Sequence, residues 1–134
     1  MPDLQDHLNM LLAMNSSIEK AAIISVNGGL LAKTRGEHFF LDDREELKRF
    51  AEIFAHPELL DNGVILERIL YGDVGLHNNI LYGYLGGAGF FAVKSASKIV
   101  IAVYQGNEFQ AHRTRAMVCD LSFALGRENL ARAR

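Results

Sequence analysis

A chain of 134 residues that is 49% hydrophobic and 22% charged has the size and balance of one soluble domain spanning residues 1–134. Such a chain buries about two-thirds of its unfolded surface, so it needs no disulfide or metal staple, and its single cysteine, Cys119, suits a reducing, cytoplasmic compartment. The net charge of −2 divides into −5 over residues 1–61 and +3 over residues 62–134, too thin a basic excess for a nucleic-acid binder.

The chain opens on an amphipathic helix. Leu4, Leu8, Leu11 and Leu12 recur at helical spacing, and Asp3 is placed to cap the first amides. Asn15-Ser16-Ser17 breaks the pattern. Two strand runs follow, Ala21–Val26 and Leu30–Thr34, around Asn27-Gly28-Gly29, whose Asn-Gly pair predicts a type I′ hairpin turn. A second helix starts at Asp43 with Glu46 at capping-box spacing; Leu47, Phe50, Ile53 and Phe54 form its apolar face and Pro57 closes it.

Beyond Asn62-Gly63, strands are expected at 64–71, 79–84, 90–95 and 98–104. Ile99–Tyr104 is an unbroken apolar hexamer and reads as a central strand covered on both faces. The last segment is helical, with Met117, Leu121, Ala124 and Leu125 on one face. Arg127, Arg132 and Arg134 near its end suit the negative end of the helix dipole. The order α-ββ-α-ββββ-α with short turns predicts an α+β fold, an antiparallel sheet with helices packed on it. The uncharged stretch Val74–Val93 is broken by glycines and asparagines and cannot span a bilayer as a helix.

Signs of catalysis are lacking. The glycines between Gly83 and Gly89 precede Lys94-Ser95, but Val93 stands where a phosphate loop needs glycine, so tight turns at positive φ account for them. His7, His38, His56, His77 and His112 show no metal-ligand spacing, and Cys119 lies inside a helix, away from N-terminal amides. Asp42-Asp43 and Glu45-Glu46 read as helix capping, and no Gly-x-Ser-x-Gly elbow occurs. No catalytic residue, metal or cofactor is expected.

The stretch Ile80–Tyr104 resembles the profilin family: a strand, a glycine-rich hairpin, a strand ending in Lys94-Ser95, and an apolar strand ending in Tyr104. Ala21–Ile24 with its glycine turn and Leu31-Ala32 is similar to the family's N-terminal hairpin. Asn62-Gly63 with Leu66 and Tyr71 fits its third strand, and Met117, Val118, Leu121 and Leu125 fit its last helix. The resemblance implies a non-enzymatic, cytoskeleton-associated protein that binds monomeric actin, and commonly proline-rich segments and phosphoinositides. It also implies six or seven antiparallel strands, with the terminal helices on one face and smaller helices on the other. The actin face carried over comprises Asp73, Val74, Tyr82, Tyr84, Phe109, His112, Arg113 and Arg115.

Two departures qualify the resemblance. Tyr82, Tyr84 and Leu85 stand where many members carry basic residues, which counts against phosphoinositide binding there and leaves the Arg127, Arg132 and Arg134 tail as its only motive. Tyrosines serve both as interface anchors and in cross-strand packing, and both uses stay open. The second departure is in the proline-ligand groove, carried over to Leu4, His7, Leu8, Leu31, Phe123 and Leu125. Leu31 replaces the family's usual Trp in a chain with none, so proline-rich binding is expected to be weak, altered or absent. A monomer is expected. The alternative is a roadblock- or longin-like dimerising scaffold for small GTPases, which shares the helix–hairpin–helix opening; the strand near 79–84 and its glycine-rich turn favour profilin. Divergence from familiar members is read as deep branching, with an archaeal source among the readings.

Overall fold

The computed structural model describes residues 3–34, 41 and 43–132, the side chains of 128–132 excepted. His38 and Asp42, the end of the chain at Arg134, and the side chain of Arg132 lie outside the described residues. The elements run α1 (Leu4–Met14), β1 (Ile18–Ser25), β2 (Leu30–Lys33), α2 (Arg44–Glu52), a 3-10 helix (Pro57–Asn62), β3 (Val64–Leu66) and β4 (Ile69–Tyr71). Then come β5 (Asp73–His77), β6 (Ile80–Leu85), β7 (Ala88–Ser95), β8 (Lys98–Gln105) and α3 (Glu108–Arg132).

Six strands pair antiparallel in the order β2-β1-β8-β7-β6-β5, and β3 and β4 form a separate two-stranded ribbon. The apolar hexamer lies in β8, between β1 and β7, and its alternation feeds two cores. Ile99, Ile101 and Val103 point into a layer with Leu47, Phe50 and Phe90, under α2. Val100 and Ala102 point into a layer with Leu8, Leu11, Val118 and Leu125, under α1 and α3. Each fully buried Leu, Ile or Phe contributes about 1.5–3 kcal/mol, so burial on both faces holds β8 firmly in the sheet. The terminal helices share one face, and α2 covers the other.

Helix ends follow their caps. Asp3 and Asp6 form a reciprocal box at α1, with 2.8 Å from Asp6 N–H to Asp3 Oδ1 and 3.1 Å from Asp3 N–H to Asp6 Oδ2. At α2, Asp43 Oδ1 accepts from the Glu45 and Glu46 amides. Glu46 itself does not return a bond to the cap as the capping-box spacing implied. Its carboxylate leaves the helix and accepts from the Glu67 amide at 3.0 Å and the Arg68 amide at 2.6 Å. The α3 helix docks closely on β7: Gly126 faces Ser95, and Ser122, 1% exposed, donates its hydroxyl to Val93 O at 3.1 Å. Ser122→Ala is expected to cost about 1 kcal/mol, read as a lower urea midpoint at unchanged slope.

Four expectations about turns and strands are corrected. The β1–β2 hairpin forms, but Asn27 is not at positive φ, so the turn is not type I′. Gly28 alone adopts φ +87°, the Gly28 amide closes on Ser25 O at 2.9 Å, and Ser25 Oγ accepts from the Gly29 amide at 3.0 Å. The expected strand at 64–71 is split by a turn at Glu67-Arg68, both at positive φ. Strand β5 was not expected, because Asp73-Val74-Gly75-Leu76-His77 has only two apolar side chains; it is joined to β6 by Asn78-Asn79, both at positive φ. Of the glycines at 83–89, only Gly86 occupies a positive φ. Gly83 and Gly89 lie within strands, under the rings of Phe90 and Tyr104, where close approach rather than turning demands glycine.

Candidate functional site

Alternation along β6, β7 and β8 puts Tyr82, Tyr84, Phe91 and Tyr104 on the face that carries α1 and α3. They form a continuous aromatic row. Tyr82 and Tyr84 have centroids 5.2 Å apart, Tyr84 meets Phe91 edge-on at 6.4 Å, and Phe91 stacks on Tyr104 at 5.4 Å. The register fixes the partners: Gly75 lies opposite Tyr82 and Gly89 opposite Tyr104, and each glycine lies beneath the ring. A Cβ on Gly89 would lie 2.8 Å from the Tyr104 hydroxyl oxygen. Tyr82 and Tyr84 therefore do serve cross-strand packing, yet Tyr84 keeps 37% of its surface exposed.

The start of α3 closes the row into a cleft. Asn107 Oδ1 accepts from the Phe109 amide at 2.9 Å, Gln110 Oε1 accepts from the Asn107 amide at 2.8 Å, and the Gly106 amide binds Gly87 O at 3.0 Å. These bonds tie the helix start to the glycine-rich β6–β7 turn. The resulting cleft holds about 710 Å³, with the aromatic row as its wall and Glu108, His112 and Arg115 on its helical rim. Positions 108, 112 and 115 fall on one helix face by i, i+4 and i+3 spacing. Burial raises the Tyr84 hydroxyl above the ordinary tyrosine range; Tyr82 and Asp73 push the same way, and Arg115 opposes them. Burial likewise raises the Tyr104 hydroxyl. Burial pushes the Cys119 thiol up; Arg115 opposes the rise and Asp120 adds to it.

The residues carried over from the family resemblance divide. Tyr82, Tyr84, His112 and Arg115 meet in the cleft. Asp73 is exposed on the edge strand opposite Tyr84, whereas Val74 turns into the core under α2. Phe109, 69% exposed, stands outside the cleft. Arg113 points away and donates from Nη2 to Met14 O at 3.1 Å, at the end of α1. The aromatic floor, Phe91 and Tyr104, was missed, although alternate aromatics in neighbouring strands signal a shared face.

The groove residues divide as well. Leu8 and Leu125 are core side chains, 0% and 2% exposed, and are corrected from groove to interior: the same helical periodicity that suggested them places them against the sheet. Leu4 and His7 are half-buried and Leu31 is exposed. Phe123 is 65% exposed, with the Arg127 guanidinium 5.8 Å from its ring centroid. Among the described residues no cluster of three His, Cys, Asp or Glu could hold a metal, and no helix is long and apolar enough to cross a membrane.

Residues 3–130 match the sequence profile of the family described as Profilin. The chain belongs to the profilin family. Among relatives, Profilin-2 of Caenorhabditis elegans is 33% identical over 114 residues, 84% of this chain and 87% of that protein. The crystal structure of Acanthamoeba castellanii profilin II superposes with a TM-score of 0.81 at 23% identity, covering 95% of this chain and 99% of that one. A complex of LokiProfilin1 with rabbit actin superposes at 0.64 and 15% identity, covering 88% and 93%. A roadblock/LC7 domain from Streptomyces avermitilis reaches 0.65 at 9% identity, covering 97% and 99%, a likeness of fold alone. Topology thus scarcely separates profilin from roadblock, and membership of the profilin family is decided by the sequence match.

Proposed function

We propose that this profilin binds monomeric actin through the cleft between the aromatic row and the start of α3, and so regulates filament assembly. The observation that carries this reading is the convergence of Tyr82, Tyr84, His112 and Arg115 on one concave site at the end of the sheet. Rigid tyrosine rings bury large area at little entropic cost, and a guanidinium on the rim suits a partner carboxylate. The LokiProfilin1 complex with rabbit actin supports the reading at the level of the fold. A profilin acting this way is a stoichiometric clamp with no catalytic residue, associated with the cytoskeleton through its partner. Immobilised protein should retain actin from a lysate of the source cell; retention of none, with the protein folded, would count against the reading.

Proline-rich binding between α1 and α3 is proposed to be weak or absent. A polyproline helix needs flat rings with donors, and the described surface offers Phe123, already engaged by Arg127, beside Leu4 and His7. Titration calorimetry with a polyproline peptide is expected to show no saturation at micromolar concentrations; tight binding would place a platform elsewhere on the surface. Phosphoinositide binding through the basic C-terminal end has the weakest support, since arginines toward the end of a helix are equally what its dipole favours. Vesicle sedimentation with and without the anionic lipid is expected to show no difference.

A further inference from the structure

The α2 side of the molecule, opposite the cleft, carries a second surface. Three of the six residues in β3 and β4 are exposed large apolar side chains: Ile65 at 49%, Ile69 at 40% and Leu70 at 58%. Ile65 and Leu70 are cross-strand partners, and a Cβ on Gly63 would lie 2.9 Å from Leu70 Cδ1, so Leu70 lies over that glycine. Gly63 and Ile65 in turn line a groove of about 850 Å³ that runs along α2, with Leu59 and Phe50 in its apolar part. Its polar lining holds Asp43, Glu45, Glu46 and Glu52 against two guanidiniums, Arg49 and Arg68. Glu46 is committed to the turn amides and Asp43 Oδ1 to the α2 cap; Asp43, Glu45 and Glu52 are exposed along the rim, one carboxylate more than the two guanidiniums. Clustered exposed apolar side chains beside a polar rim mark a contact surface.

We propose that this groove docks an amphipathic helix with a basic polar face, supplied by a partner protein. Ile65 and Leu70, paired on one face of the ribbon with Ile69 on the other, match the stripe of such a helix, and Asp43, Glu45 and Glu52 match flanking lysines or arginines. The same carboxylates argue against a second copy of this chain, which would bring like charges together, and against an anionic membrane. Tyr84 and Arg115 lie across the sheet, so actin and the helix could be held together.

The probe is a fluorescein-labelled leucine/lysine peptide of about 18 residues with leucines on one helical stripe, long enough to span the groove. Anisotropy titration of the whole protein is expected to show saturable one-to-one binding. Ile65→Ser with Leu70→Ser, and separately Glu45→Lys with Glu52→Lys, are expected to weaken it about tenfold or more. Both pairs are exposed, and circular dichroism is the check that the variants fold. Arg115→Glu should leave this binding unchanged, so failure here and failure of the actin reading are separable. Equal binding of a leucine/glutamate peptide, or unchanged binding by both double variants, would overturn the proposal. So would a dimer in sedimentation, or binding to anionic vesicles, that is lost with Ile65 and Leu70.

Discussion

Arg115→Glu is expected to weaken binding to monomeric actin about a hundredfold while leaving thermal stability close to that of the parent, because it reverses a rim charge without touching a core contact. Arg115 sits one turn from His112 on the cleft side of α3, and its field reaches the Tyr84 hydroxyl. Arg113→Glu makes the control. Positions 113 and 115 lie roughly 200° apart around a helix, so the two arginines cannot serve one face. Arg113 instead donates to Met14 O, at the open carbonyl end of α1. Its reversal is expected to lower stability by about 1 kcal/mol and to leave actin affinity within about threefold. Titration of labelled actin monomers beside thermal melts reads both effects. A larger loss at Arg113 than at Arg115 would move the contact to the α1 side of α3.

Glu46→Ala is expected to cost about 3 kcal/mol, the largest loss of stability from a single side chain that touches neither sheet layer through apolar contact. Glu46 accepts from both the Glu67 and Arg68 amides, and Glu67 is itself buried, with Oε2 2.7 Å from Lys20 Nζ. Deleting the carboxylate removes the acceptor that both turn amides share, in a two-stranded ribbon too small to stand alone. Glu46→Gln keeps one good acceptor and is expected to recover roughly half of the loss. Burial raises the Glu46 carboxyl above the usual range, outweighing the two amide bonds that lower it. The folded state therefore holds the proton more tightly than the unfolded chain. That contribution is fully present below the ordinary carboxylate pKa and is lost as pH rises through the raised value. Glu46→Gln lacks it, so the advantage of the parent over Glu46→Gln should widen as pH falls from neutral toward 4.5. Urea denaturation at several pH values measures the gap; a gap that narrows on acidification would contradict the burial argument.

The two strongest sequence signals were local and survived unchanged. The Ile99–Tyr104 hexamer became a strand buried on both faces, and the leucine spacing of α1 gave a helix whose Leu8 and Leu11 are interior. What the sequence hid depends on long-range partners. Glu67-Arg68 has no turn-forming side chain; it bends because Glu46, more than twenty residues away, accepts from both amides. In β5, Val74 and Leu76 alternate around Gly75, too sparse a pattern to read, and the strand is set by its antiparallel pairing with β6, where Tyr82 lies over the glycine. The cleft was half legible. Tyr82 and Tyr84 share a face by alternation, but its depth comes from Phe91 and Tyr104, which needs the β7–β8 register. The helix rim was carried over only through the family resemblance, without Glu108, and the helical angle between residues 113 and 115 puts Arg113 on another face of α3.

Actin binding is tested most directly by a pyrene-actin assembly assay with actin from the source cell and the protein at tens of micromolar. Spontaneous assembly should slow in proportion to the protein added, and Arg115→Glu should restore most of the rate. Assembly curves indistinguishable from actin alone, with the protein folded, would contradict the assignment of the cleft and of the function together.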